Sequence, residues 1–139
     1  MDVTELPFNR LIGIAASGQD GRVLTLPADV RYTNHLGTVH ASALLALAEA
    51  TSGDYLIKEF GQIGLAVVPV VRRLEAKFRK PATGAVSSTV KVAPEKRDAF
   101  LAALTSKGRA LLAIEVAVYD EKNTHALTAT VEWFVARQE

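Results

Sequence analysis

The fold of this 139-residue chain is indicated most clearly by the stretch Asn34-His35-Leu36-Gly37-Thr38-Val39-His40, which is followed by Ala41-Ser42-Ala43-Leu44-Leu45-Ala46-Leu47-Ala48-Glu49-Ala50. Its first part has the polar and glycine content of a turn, and its second part is rich in alanine and leucine, which are strong helix formers. The pattern predicts one long helix from residue 40 to about residue 60, ending at Phe60-Gly61 because glycine suits a left-handed C-cap. The unpaired N–H groups at the start of this helix would point outward.

Glu49 is the feature of this helix that helix formation does not explain. A carboxylate among small apolar residues is costly to bury unless it is paired, neutralised or used. A single glutamate on an alanine-rich helix usually faces water, so Glu49 by itself favours no function. Downstream of a polar turn that presents N–H donors, however, it supplies the second of two parts that acyl-group hydrolysis requires.

Beyond the helix, apolar residues alternate with polar ones, which predicts strands, the first of them with one polar face. The four alternating apolar sets are Leu74, Ala76 and Phe78; Val86, Ser88, Val90 and Val92; Leu112, Ile114, Val116 and Val118; and Leu127, Ala129, Val131, Trp133 and Val135. The turn Glu121-Lys122-Asn123 joins the last two strands into a hairpin. Before the helix, residues 12–17 and 22–26 flank Asp20-Gly21, which is a strong hairpin signal.

The order of these elements predicts the fold class. Residues 3–12 fit either a short helix or a docking arm, and residues 99–105 fit either a short helix or an excursion between strands. The other elements are two strands, one long helix and four long strands, which pack most economically as one antiparallel sheet wrapped around the helix. We therefore expect an α+β fold with about six strands around one central helix, in a single domain over residues 1–139.

The composition excludes several classes of function. Sixteen lysines and arginines against fifteen aspartates and glutamates give a net charge of +1, which argues against a nucleic-acid partner. The chain has no cysteine, so a disulfide, a thiol nucleophile and a cysteine–zinc site are excluded. Its three histidines lack metal-ligand spacing, so we expect no metal. No apolar run is long enough for a membrane span and the N-terminus does not read as a signal peptide, which predicts a soluble, cytoplasmic protein.

On these residues the chain resembles the hotdog-fold thioesterases, and within that superfamily the phenylacetate-pathway type and a related bacterial group. The shared pattern is Asn, two residues, Gly-Thr, one residue and His, with an acidic residue nine positions after the His. In this chain the pattern consists of Asn34, Gly37, Thr38, His40 and Glu49. There are two departures: Ala41-Ser42 replaces the common Gly-Gly after the His, and Lys80 precedes Pro81-Ala82 where relatives often have Ser or Thr.

The resemblance implies a hotdog fold and the hydrolysis of acyl-CoA thioesters to free acid and CoA by a homodimer or a dimer of dimers. CoA would be part of the substrate, and no cofactor is implied. The expected catalytic residues are Glu49, Asn34, Ala41 and His40. The expected substrate-binding residues are Gly37, Thr38, Ser42, Leu45, Phe78, Arg79 and Lys80.

These residues suit the chemistry of thioester hydrolysis. The backbone N–H of Ala41, with the helix dipole behind it, would polarise the thioester carbonyl. Glu49 would activate water as a general base or attack the carbonyl itself, and the sequence leaves both routes open. Asn34 would orient the water or Glu49, and His40 would hold the turn.

The spacing of Ala41 and Glu49 predicts a site shared between subunits. The two residues are separated by eight positions, which is about 12 Å along a helix. Both must come within about 3 Å of atoms of one thioester. We therefore expect the carboxylate to come from the partner subunit's helix, with two shared sites in a dimer.

Two other functions remain open. A non-catalytic protein that binds acyl-CoA or an aryl ligand is suggested by the departures at Ala41 and Lys80. A hotdog dehydratase or hydratase would pair a histidine with an acidic residue, and His35, fourteen residues before Glu49, has a suitable spacing. The basic residues that follow the helix fit either a contact with CoA phosphates or a solvated strand face. They are Arg72, Arg73, Lys77, Arg79 and Lys80.

Overall fold

The computed structural model of the chain describes residues 1–63 and 66–138, and this part contains six strands and three α-helices. The strands are β1 (Ala15–Ala16), β2 (Leu24–Leu26), β3 (Val67–Phe78), β4 (Val86–Lys91), β5 (Arg109–Asp120) and β6 (His125–Arg137). The helices are α1 (Pro7–Ile12), α2 (Ala41–Ile63) and α3 (Pro94–Lys107), with short 3-10 turns at Val3–Glu5 and Val30–Tyr32.

The six strands form one antiparallel sheet in the order β1-β2-β4-β5-β6-β3. Val131 of β6 lies between Ile114 of β5 and Leu74 of β3. The inward side chains of β5 and β6 are fully buried, with Ile114 and Val131 both inaccessible to solvent. The predicted alternation of these strands therefore identifies their core-facing side correctly.

The long helix α2 packs across this sheet. Leu47 of α2 is completely buried, and the hydroxyl groups of Thr51 on α2 and Ser88 on β4 lie 2.6 Å apart in a hydrogen bond. A Cβ at Gly53 would lie 3.6 Å from the ring of Trp133 on β6, which is an ordinary contact between a helix and a sheet. The expected α+β hotdog fold, one antiparallel sheet around a central helix, is confirmed.

Three local expectations are resolved or corrected. The predicted end of the long helix at Phe60-Gly61 is wrong, because α2 continues through Gly61 to Ile63. A glycine inside a helix costs only about 1 kcal/mol, which the packing of a long helix readily offsets. Residues 99–105 belong to α3, and residues 3–12 form a 3-10 turn followed by α1. The single domain over residues 1–139 stays a prediction.

The edge strand β3 differs from its predicted pattern. The sequence indicated one polar and one apolar face, but every residue from Arg72 to Phe78 is exposed. Leu74 and Phe78 lie on the same side of the sheet as the buried Val131, yet they are 37% and 48% exposed. The alternation is present, and Val67 and Val71 at the start of the strand pack against the core, but within the described chain no element covers the apolar side of residues 72–78.

None of the helices within residues 1–63 and 66–138 combines the length and the apolar character that crossing a membrane would need.

Candidate active site

A tight turn precedes α2, and the side chain of Asn34 holds it together. The Oδ1 atom of Asn34 accepts hydrogen bonds from the N–H groups of Leu36 (2.9 Å) and Thr38 (3.2 Å). Gly37 has a φ angle of +75°, which glycine adopts without strain, and its N–H donates to the backbone oxygen of Asn34 over 3.1 Å. Asn34 is therefore occupied inside the turn, which is the geometry of a positioning residue.

The first turn of α2 leaves one backbone donor free. His40 occupies the N-cap position, and its Nδ1 accepts a hydrogen bond from the N–H of Ser42 over 3.0 Å. The N–H groups of Ala43 and Leu44 both donate to the backbone oxygen of His40. Within the described chain, the N–H of Ala41 donates to no acceptor. The positive end of the helix dipole strengthens a donor at this position.

Ala41 lines a cavity of about 300 Å³, which we call the turn cavity, between the start of α2 and the end of β3. The N–H of Val39 donates to the backbone oxygen of Ala82 over 2.9 Å and ties the two walls together. The predicted site residues that meet around this cavity are Asn34, Thr38, Ala41, Phe78, Arg79 and Lys80. The fold thus gathers residues from the turn, the helix and β3 that are far apart in the sequence.

The basic residues predicted after the helix do not act as one group. Arg79 and Lys80 line the turn cavity, where Nε of Arg79 donates to Oγ1 of Thr128 over 2.9 Å. Lys80 is exposed and has no hydrogen bond or ion pair with a described residue. Arg73 pairs instead with Glu75 on the exposed surface of β3. Only the last two cations of the series are therefore in position to meet a ligand at Ala41.

Glu49 lies two turns beyond Ala41 on α2 and is half-buried. Its carboxylate makes no hydrogen bond or ion pair with any described residue. Burial without a compensating partner raises the pKa of Glu49 above its ordinary value of 4.5. Leu45, one turn earlier on the same helix face, is also half-buried. Glu49 is therefore a poorly solvated carboxylate, without a partner among the described residues, on the face of α2 that bears Leu45.

The backbone at Glu49 is fixed to the sheet although its side chain is free. The Oγ of Ser52 donates to the backbone oxygen of Glu49 over 2.7 Å. The same hydroxyl accepts a hydrogen bond from Nε1 of Trp133 on β6 over 2.9 Å. This chain of hydrogen bonds holds the helix in a defined rotation, so the direction of the Glu49 side chain is set by the packing of α2.

A second concavity, which we call the apolar cleft, adjoins the start of α2. It measures about 410 Å³ and lies between α1, the 3-10 turn Val30–Tyr32 and α2. Most of its lining is apolar or aromatic. These residues are Phe8, Ile12, Leu26, Tyr32, Ala43 and Ala46. His40 and Ser42, the neighbours of Ala41 in the sequence, also line this cleft rather than the turn cavity.

Packing around Tyr32 shapes the apolar cleft. The Tyr32 hydroxyl donates a hydrogen bond to the backbone oxygen of Ile12. Gly13, which ends α1 with a φ angle of +83°, leaves room for this contact, because a Cβ there would lie 2.6 Å from the Tyr32 oxygen. Sequence reasoning missed these residues. The only signal was the spacing of Phe8 and Ile12, which places both on one face of a short helix.

Among residues 1–63 and 66–138, no group of three or more His, Cys, Asp or Glu side chains is arranged to hold a metal ion. Of the predicted site residues, Gly37 shapes the turn, and Leu45 and Glu49 lie farther along α2 than the residues around Ala41. The described part of one chain therefore does not by itself bring the Glu49 carboxylate to the turn cavity.

The sequence matches one family model, described as a domain of unknown function (DUF4442), over residues 14–135. No curated protein matches it.

Several solved structures share the fold. A Pseudomonas aeruginosa protein of unknown function, named a probable thioesterase, superposes with a TM-score of 0.81 at 23% identity, over 98% of this chain and 91% of that one. A thioesterase from Haemophilus influenzae superposes with a TM-score of 0.66 at 16% identity, over 97% of this chain and 86% of that one. A Bacillus halodurans protein crystallised with CoA superposes with a TM-score of 0.68 at 18% identity, over 92% of this chain and 74% of that one. These neighbours confirm the hotdog fold, and the named thioesterases among them fit the resemblance stated above.

Proposed function

This chain belongs to the DUF4442 family, and we propose that it hydrolyses acyl-CoA thioesters to a free acid and CoA. The observation that carries the proposal is the free Ala41 N–H, which lies at the start of α2 beside a cavity that also contains Arg79 and Lys80. A donor of this kind stabilises the negative oxygen that forms when a carbonyl is attacked. Two cations nearby suit the phosphates of CoA. The CoA bound to the Bacillus halodurans neighbour is consistent with this choice of substrate.

In the proposed reaction, the oxygen of a water molecule adds to the thioester carbonyl carbon while Glu49 takes a proton from that water. The carbonyl oxygen becomes an oxyanion and accepts a hydrogen bond from the Ala41 N–H. The carbon–sulfur bond then breaks, the sulfur leaves as the CoA thiolate, and the free acid remains. The proton on Glu49 passes to the thiolate or to solvent, which restores the carboxylate. Glu49 could equally attack the carbonyl itself, which would give an anhydride that water then opens to the same products.

A raised pKa supports the role of Glu49 in either route. A carboxylate that is poorly solvated and unpaired is a stronger base and a stronger nucleophile than one exposed to water. His40 and Asn34 would act as positioning residues, because His40 caps α2 and Asn34 closes the turn before it. Thr38 and Phe78 would contact the substrate from the walls of the turn cavity.

We place the working site between two copies of the chain. Ala41 and Glu49 are about 12 Å apart along one helix, so one helix cannot bring both to a single thioester. The edge strand β3 leaves Leu74 and Phe78 partly exposed beside the turn cavity, and a second copy would cover them. A two-fold pairing would supply Glu49 of the partner subunit to each turn cavity.

The proposal is tested by following the release of free thiol from short-chain, long-chain and aryl acyl-CoAs. We expect turnover with at least one of these substrates and a fall of about 100-fold or more in kcat for Glu49→Gln. Glu59→Gln, the same change ten residues further along α2, is the matched control and should keep the activity. Absence of turnover from the unaltered protein, with acyl-CoA still bound, would contradict the proposal and indicate a non-catalytic binding protein.

A further inference from the structure

Ala41 lies between two concavities of different character. The turn cavity on one side contains the cations Arg79 and Lys80, and Lys80 is free of ion pairs with described residues. The apolar cleft on the other side is reached through His40 and Ser42, the residues that flank Ala41. A thioester bound at the Ala41 N–H would therefore have a basic region on one side and an apolar region on the other.

Among the described residues that line the apolar cleft, the one cation already has an ion-pair partner. Arg31 lies 3.5 Å from the carboxylate of Asp29, and its guanidinium stacks on the ring of Tyr32 at 4.9 Å from the centroid. Phe8, in contrast, lines the cleft with 62% of its surface exposed and nothing in the described chain covering it. The cleft thus offers apolar surface without a competing free charge, which suits an uncharged hydrocarbon group.

We infer that the apolar cleft holds the acyl group of the substrate, while the turn cavity holds the phosphate-bearing CoA part. The inference rests on the proposed function, because it assumes that the thioester lies at Ala41. An acyl-CoA has one polyanionic end and one apolar end, and the two concavities match these ends in charge and polarity.

The size of the cleft indicates the class of acyl group. An apolar protein cavity of about 150 Å³ binds benzene, whereas this cleft measures about 410 Å³, so it has room for an acyl chain of roughly ten carbons or more. Ala43 and Ala46 leave this space open, because each presents only a methyl group toward it. A larger side chain at either position would shorten the acyl group that fits.

Binding of two unreactive thioethers, butyl-CoA and decyl-CoA, tests the inference by calorimetry without depending on turnover. If the cleft buries the longer chain, decyl-CoA should bind roughly 50-fold more tightly than butyl-CoA, even at half the usual gain per methylene. In Ala43→Leu this ratio should fall below about fivefold while the affinity for butyl-CoA is retained. The matched control Ala102→Leu, on the exposed side of α3, should keep the full ratio.

The variant Phe8→Ala keeps the inference testable if Ala43→Leu does not fold. Phe8 is exposed, so Phe8→Ala should fold normally, and it should lower the ratio by about threefold or more because one wall of the cleft is removed. An unchanged ratio in both Ala43→Leu and Phe8→Ala would overturn the inference and leave the proposed thioesterase activity standing. Failure of the unaltered protein to bind either thioether would also overturn the inference, while the thiol-release assay with aryl acyl-CoAs decides the proposed function separately.

Discussion

In the proposed reaction Ala41 would act through its backbone, so the site would not need the Gly-Gly that the resembling thioesterases commonly have. The donor is the N–H at the first position of α2, and an alanine side chain does not remove it. The imidazole of His40 accepts the hydrogen bond of the Ser42 N–H, and its backbone oxygen accepts those of Ala43 and Leu44. The Ala41 N–H has no acceptor among the described residues. The residue identity at this position is therefore free to vary as long as the N–H is kept.

Replacing Ala41 by proline tests this role because proline is well tolerated at the first position of a helix but has no N–H. We expect Ala41→Pro to lower kcat by about 100-fold to 1000-fold, the usual cost of losing one oxyanion donor. Ala41→Ser, which keeps the N–H, should retain most of the activity. Equal activities for the two variants, in steady-state assays of folded protein, would rule out the backbone donor.

Glu49 is a second residue whose environment predicts its behaviour. Its folded-state pKa is raised by burial, so the protonated form is favoured and the charged form is costly. The stability that protonated Glu49 contributes is complete below its ordinary pKa of 4.5 and is lost as the pH rises through the raised value. At neutral pH the charge on Glu49 therefore lowers the stability of the fold.

Glu49→Gln should accordingly be inactive yet more stable at neutral pH, with a midpoint of thermal unfolding raised by about 1–4 °C. This gain should vanish at a pH below 4.5, where the unaltered carboxyl is also neutral. In the unaltered enzyme, kcat/KM should rise with pH as Glu49 loses its proton, with a midpoint above 4.5. A less stable Glu49→Gln at neutral pH would show that the carboxylate has a stabilising partner.

Among the elements, the loop between β3 and β4 is held in place by a side chain that is distant in the sequence. Oδ2 of Asp120 accepts a hydrogen bond from the N–H of Thr83 in this loop. Its Oδ1 accepts hydrogen bonds from the N–H groups of Lys122 and Thr124 in the β5–β6 hairpin. Burial by itself would raise the pKa of Asp120, but these backbone donors outweigh it and lower the pKa below 3.8. The same loop carries Lys80, so Asp120 positions one wall of the turn cavity.

Asp120→Ala should lower the free energy of unfolding by about 1–3 kcal/mol near pH 7, because three backbone donors lose their acceptor. The difference should shrink as the pH falls through the lowered pKa, since protonation then removes the same contribution from the unaltered protein. Urea unfolding near pH 7 and at a pH below the lowered pKa of Asp120 measures this difference in the free energy of unfolding. Asp98→Ala, which removes an exposed carboxylate paired with Arg97, should have little effect at either. A loss independent of pH would contradict the assignment.

The elements themselves were largely predictable from hydrophobic periodicity. The strands of the central sheet alternate because α2 covers one side, and α2 is long because its alanines and leucines favour a helix. Its end was not predictable, since Gly61 permits a C-cap without requiring one. The apolar cleft was not predictable either, because it arises where Phe8, Tyr32 and Ala46 meet from three separate segments. Periodicity carries no information about such meetings.

For the molecule as a whole, the donor and the carboxylate are separated in one chain, and the described chain leaves the apolar side of residues 72–78 of β3 open. Leu74 and Phe78 lie where a covering partner would bury them, and Phe78 also lines the turn cavity. Pairing of two copies along this edge would remove the exposed apolar surface and complete the site in the same step. The activity of the protein would then depend on its assembly.

Mixed dimers of Glu49→Gln and Ala41→Pro test whether two chains share one site. Each variant alone should be nearly inactive, because every site lacks either the carboxylate or the donor. After the two are unfolded together and refolded in equal amounts, about one quarter of all sites should combine an intact Ala41 with an intact Glu49 of the partner subunit. Thiol release should therefore return to about that fraction of the unaltered activity. No recovery in a mixture shown to contain mixed dimers would contradict the shared site.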